Sequence, residues 1–202
     1  LIKEIARFSL KGAITSGRKI RSMLASKQLL GWDDPRLVTL VALKRRGFLP
    51  KAIREFLIRT GVSKAEATID WEMLESVNRK YADPIANRYF LVTDPVKIKL
   101  LDFPEMEEVE VDLHPDFPER GKRRIPVTKE ILICKRDLDN LRGRIVRLIG
   151  LFNVELDKRA RFVGKEIRKE MPKIQWVPTK NVEALIIMPD ASKKTAVAEP
   201  EI

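Results

Sequence analysis

Apolar positions in the first third of the chain recur at helical spacing. In residues 18–29, RKIRSMLASKQL, the side chains Ile20, Met23, Leu24 and Leu29 fall near one face. Residues 35–46 predict a second helix with Leu37, Leu40 and Val41 as its stripe. Asp33 or Asp34 suits its cap, Pro35 its first turn, and Gly47 its end. Lys44, Arg45 and Arg46 sit at the negative end of its dipole. Pro50 opens a third helix, PKAIREFLIRT, with Ile53, Phe56 and Leu57 inward and a stop at Gly61. A fourth helix follows Asp70 as cap, with Ile69 and Leu74 at hydrophobic-staple positions. It carries Met73, Leu74 and Val77 inward and ends at Asp83-Pro84.

Beyond Pro84 the period shortens. NRYFLV, VKIKLLDF, EEVEVDL, KEILICK, RIVRLIGLFNVEL, KIQWVP and VEALIIM are rich in Val, Ile and aromatics, and prolines and glycines punctuate them. VKIKL and VEVDL alternate cleanly, which suits antiparallel strands with one wet face. Short strands at this spacing predict a β-barrel or sandwich. PDASKKTAVAEPEI reads as a final hairpin cut off at its second strand. The expected class is α+β, helices first and antiparallel strands after, as a barrel or a sandwich.

Charge changes the picture. The 202 residues carry a net charge of +11, unevenly spread. Residues 1–60 hold +10, 61–100 are neutral, 101–119 hold −8, 120–169 hold +10 and 170–202 hold −1. Two basic zones therefore flank an acidic insert. That pattern points to a polyanion, nucleic acid before membrane surface, gripped at two separated footprints. No apolar run of about 18 residues predicts a membrane span. The N-terminal residues do not read as a signal peptide. The chain begins at Leu1, as a piece of a longer protein would.

Candidate chemistry is sparse. The single cysteine, Cys134, excludes an internal disulfide, fits a reducing intracellular setting and reads as a small buried hydrophobe. The single histidine, His114, reads as structural. No metal site is expected, since one cysteine and one histidine make a poor ligand set. The carboxylates Glu105, Glu107, Glu108 and Glu110 read as a solvated face. RGKRR is not a glycine-rich phosphate loop.

Four stretches taken together, GWDDPRLVTLVALKRRGFLPKAIREFLIRTGVS, TIDWEMLESVNRKYADPIANRYFLVTDPVK, KIQWVP and AEPEI, resemble the archaeal-type glutamyl-tRNA synthetases. These share a body plan with the glutaminyl enzymes. The resemblance implies a class I ligase that activates glutamate with ATP and magnesium, then transfers it to tRNA-Glu, with tRNA-Gln as a further candidate. It implies a cytoplasmic enzyme, transient contacts with other translation proteins, and most of the catalytic domain upstream of this chain, which alone would be inactive. The implied domains are residues 1–20 as the end of the catalytic domain, 21–83 as a helical stem-contact region, and 84–202 as an anticodon-binding β-barrel truncated at its C-terminus.

The same resemblance suggests sites. Residues 14–21, ITSGRKIR, stand where the family has its mobile KMSKS loop, which sets cations against the phosphates of ATP. Ser16 matches the motif serine, Gly17 replaces its second lysine, and Arg18 and Lys19 are the nearby cations. Lys44, Arg45 and Arg46 would neutralise phosphates on the inner side of the tRNA L-shape. Arg88, Arg123 and Arg124 match anticodon-contacting positions of the glutaminyl relatives, with Lys122 on a phosphate. Arg142 and Arg144 are expected on one sheet face, and Lys158, Arg159 and Arg161 in a loop. Trp32 is expected to pack. Two alternatives stay open: a glutaminyl enzyme, disfavoured by the short span between RGRIVRL and KIQWVP, and a non-catalytic RNA-binding or scaffold module.

Overall fold

A computed structural model describes residues 8–11, 13–61, 67–187 and 193–198. The chain divides into two compact units, residues 1–86 with 187–192, and residues 87–186 with 193–202.

In the first unit, strand β1 (Phe8–Leu10) pairs in parallel with β2 (Ala67–Ile69). Helix α1 spans Gly17–Ala25, shorter than its apolar pattern, because Lys27 takes a left-handed φ of 57° and turns the chain. Leu29 beyond the turn still reaches the core, where it joins Ile20, Leu37 and Ala42. Helix α2 spans only Leu40–Arg45, capped by Thr39, whose hydroxyl accepts from the Ala42 N–H. The expected start at Pro35 fails because Asp34 is occupied elsewhere. Its buried carboxylate accepts from the Leu30 and Arg36 N–H groups and from the Arg36 guanidinium at 2.8 Å, so it braces a loop. The late start also rotates the stripe. Ala42 and Leu43 are buried, whereas Leu40 is 72% exposed.

Helix α3 (Pro50–Thr60) begins at its proline and ends at Gly61, where φ is 75°. It packs on α4 (Trp71–Ala82), and Leu43, Phe48, Phe56 and Leu74 form the shared core with Ile69 and Trp71 against it. Asp70 stands at the α4 cap without a side-chain cap bond and lies 3.7 Å from Lys11 instead.

The second unit is built on strands. β3 (Leu91–Thr93) and β4 (Pro95–Leu101) are followed by β5 (Glu108–Asp112), β6 (Lys122–Pro126) and β7 (Glu130–Cys134). Helix α5 (Lys135–Leu141) buries Leu138. β8 (Ile145–Leu148), β9 (Asn153–Glu155), β10 (Arg159–Gly164), β11 (Lys173–Ile174), β12 (Trp176–Pro178), β13 (Val182–Ile187) and β14 (Lys193–Ala198) complete it. The main sheet runs β11–β8–β9–β10–β4–β7–β12; β13–β14–β3 and β5–β6 form two smaller sheets. The expected antiparallel barrel is corrected on two counts. β10 pairs with β4 and β11 with β8 in parallel, and the described strands do not close hydrogen-bonded into a barrel. Yet β11 and β12, on opposite edges, are separated only by Gln175, so the sheet curls until its edges approach.

The core of this unit includes Ile98, Ile131, Val146, Phe152, Leu156 and Trp176, and the Trp176 indole N–H donates to the Ile149 carbonyl at 3.0 Å. Gly150 turns β8 into β9 with a φ of 75°, and a Cβ there would stand 2.7 Å from the Val111 side chain. Part of the final hairpin lies outside the described residues.

Candidate nucleic-acid interface

The proposed cations of the first unit fall into two groups. Ser16 caps α1, its hydroxyl accepting from the Lys19 N–H, while Arg18 and Lys19 are exposed on the first turn. At the end of α2, Lys44 is exposed and Arg45 pairs with Asp33 at 3.0 Å. Arg46 differs from both. Its guanidinium lies 4.5 Å from the Trp71 ring and 5.2 Å from Phe48, with Glu75 at 3.5 Å. Burial lowers its pKa, partly offset by the Glu75 charge. Arg46 thus ties the end of α2 to α4. Trp32, expected to pack, is 45% exposed, and its carbonyl accepts from the Thr39 hydroxyl.

In the second unit the backbone draws several predicted residues together. The Arg88 N–H donates to the Leu113 carbonyl at 2.7 Å, and the Leu113 N–H donates to Gly121, next to Lys122. β5 and β6 pair antiparallel, with Glu110 opposite Arg124 and Asp112 opposite Lys122. Lys122 lies 3.6 Å from Glu110; Arg124 lies 3.3 Å from Glu108 and 3.6 Å from Glu110. The acidic stretch read as solvated is therefore the partner strand of the basic one. Strand alternation sends Arg123 to the opposite face, where it is only 6% exposed. Its guanidinium lies 4.8 Å from the Phe90 ring and donates to the Asp112 carbonyl at 2.7 Å. Arg123 is thus placed to hold β5 on β6.

Arg142 and Arg144 flank Gly143 in the turn after α5, not along a strand face as expected. The Gly143 N–H donates to the Leu156 carbonyl, which sets this turn beside Asp157. Arg142 pairs with Asp157 at 3.1 Å. The Asp157 pKa is lowered, chiefly by the Lys158 N–H and then by the Arg142 charge. Arg144 is exposed. Arg159 and Arg161, expected in a loop, lie on β10 in parallel register with Lys99 and Leu101. They line a cavity of about 500 Å³ with Leu101, Gly143, Glu155, Leu156 and Asp157. No local sequence signal links residues 101, 143 and 159; the parallel β4–β10 pairing joins the first to the last, and the Gly143 bond to Leu156 brings in the turn. Arg147 bonds Asn153 and the Lys165 carbonyl, and burial lowers its pKa. His114 is buried, its Nδ1 accepting from the Asp116 N–H, with its ring 4.8 Å from Phe117. Cys134 is half-buried beside the Thr93 hydroxyl.

Comparison with known proteins decides the family. Residues 86–171 match the profile of the anti-codon binding domain of class I tRNA synthetases (E and Q), and residues 1–84 match the catalytic domain profile of the same group. The chain belongs to the E and Q class I tRNA synthetases. The junction of the two matches falls at the division between the compact units. Within this synthetase family the chain is 45% identical over 201 residues to the glutamate–tRNA ligase of Pyrococcus horikoshii, covering 93% of this chain and 35% of that protein. It is 43% identical over 199 residues to that of Pyrococcus abyssi, covering 96% and 34%. Against the Archaeoglobus fulgidus ligase it is 43% identical over 151 residues, covering 73% and 27%. The chain spans about a third of the length of the Pyrococcus relatives. Among the described residues, no helix is long and apolar enough to cross a membrane.

Proposed function

We propose that this chain is the tRNA-gripping part of a glutamate–tRNA ligase, with the strand unit reading the anticodon of tRNA-Glu. One observation carries this reading. The match to an anticodon-binding domain, residues 86–171, covers most of a compact strand unit that exposes Arg88, Arg124, Arg142 and Arg144 on its surface. Unpaired anticodon bases expose hydrogen-bonding edges, and the rigid guanidinium fork suits them. Lys44 and Arg45 serve the phosphate backbone, which fixes position without reading sequence. Arg123 and Arg46 support these surfaces from within.

The whole enzyme joins glutamate to tRNA through ATP. Arg18 and Lys19, exposed at the positive end of α1, suit the polyphosphate of that nucleotide. Magnesium is assigned to no residue of this chain. In this reading residues before 21 close the nucleotide site, 21–83 contact the stem, and the curled sheet of the strand unit carries the anticodon-binding surface. An enzyme of translation works in the cytoplasm. tRNA-Gln is a second substrate in this reading, tested by charging both tRNAs with the full-length protein.

Filter binding of a tRNA-Glu transcript and of the same transcript with its anticodon exchanged tests the assignment. The cognate transcript should bind at least tenfold tighter, the order expected when one or more bidentate base contacts are lost. Equal affinities at moderate salt would overturn it.

A further inference from the structure

The β5–β6 sheet charges its outward face in alternation. Glu108, Glu110 and Asp112 stand exposed on one strand, Lys122 and Arg124 on the other. Val109, Val111, Arg123 and Ile125 take the opposite face. GKRRIP begins one of the two strongly basic zones, yet this face carries three carboxylates against two cations. Arg124 is held from two sides, diagonally by Glu108 and directly by Glu110, and Lys122 is held diagonally by Glu110. All these side chains are about half exposed or more.

Such exposed pairs are individually weak and displaceable. A bidentate contact from arginine to a base edge or phosphate is stronger. A polyanion that offers only phosphates therefore meets a face of net negative charge and gains little there. An RNA that also presents a matching base edge to Arg124 gains enough to displace the carboxylates. We propose that Glu108 and Glu110 are specificity-determining residues: they occupy Arg124 and Lys122 in the free protein and so screen out RNA whose anticodon does not replace them. This rests on the reading of the strand unit as the anticodon-binding part. It is discrimination by an unfavourable term against the wrong partner, not by an added contact to the right one.

The test is the double variant Glu108→Gln/Glu110→Gln, which keeps side-chain length and strand pairing. Glu72→Gln/Glu183→Gln makes the same charge change outside this sheet. Thermal unfolding checks that each folds, and Glu110→Gln alone carries the same expectation at smaller size. Affinities for the cognate and anticodon-exchanged transcripts are measured from about 50 to 200 mM salt. The exchanged transcript should bind the ladder variant roughly three- to tenfold tighter, the cognate changing less than about twofold. The control should shift both transcripts alike. An unchanged discrimination ratio in the ladder variant, or weaker binding of the cognate, overturns the screening role while leaving anticodon reading intact. A wild-type chain that does not distinguish the transcripts overturns both.

Discussion

Arg123 and Arg124 are neighbours in sequence with opposite environments, because successive strand residues face opposite ways. Arg123→Ala removes a buried guanidinium, its ring contacts and its bond to the Asp112 carbonyl. It should lower unfolding free energy by about 2–4 kcal/mol in urea denaturation. Arg124→Ala should leave stability nearly unchanged and cost roughly 1–3 kcal/mol of discrimination between anticodons. Asp34 offers a pH test. The Arg36 side chain, foremost, holds its carboxyl below the ordinary 3.8, with the Leu30 and Arg36 N–H groups adding to this and burial opposing it. Its contribution is complete above pH 4 to 5 and is lost as pH falls below 3.8 toward the depressed value. Asp34→Asn should therefore destabilise by about 2–3 kcal/mol at neutral pH and flatten the acid limb of the stability profile. A variant that kept the wild-type acid limb would assign that limb to other groups.

Helices were legible where apolar spacing and punctuation agreed. α3 begins at Pro50 and ends at Gly61 as read, since both residues act locally. α2 was misplaced because Asp34, a good cap by type, had a stronger claim from Arg36, a contact that residue propensity does not encode. Thr39 took the cap instead. Thr39→Ala should cost about 1–2 kcal/mol, measured by denaturation, through loss of that cap and of the bond to Trp32. α5 was hidden between two strands, its KRDLDNL carrying too few apolar positions for a periodic signal. Alternation found β4 and β5, whereas the parallel β4–β10 pairing is long-range and leaves no local trace. For the same reason the cavity beside Gly143 and Arg161 was invisible, and Arg159 and Arg161 read as a loop. Gly150→Ala should destabilise by about 1–3 kcal/mol, since a Cβ there meets Val111 at positive φ.

For the whole molecule, charge blocks in the sequence gave a useful footprint but an incomplete one. Both zones hold +10, yet Arg46 and Arg123 are largely withdrawn into packing, and Lys122 and Arg124 are matched by the acidic strand. Charge available without displacing a partner is what remains after such pairing. In the first unit Lys44 remains exposed, and Lys44→Ala should weaken all tRNAs alike and reduce the salt slope by about 1. The central claim is that one tRNA is held at two places, on the inner side of its L and at its anticodon. Hydroxyl-radical footprinting of tRNA-Glu bound to this chain tests it most directly. Two separated protected regions are predicted, the anticodon loop and a stretch of the inner side, with the loop protection lost when the anticodon is exchanged. Protection confined to one region, or unaltered by the exchange, would contradict the account.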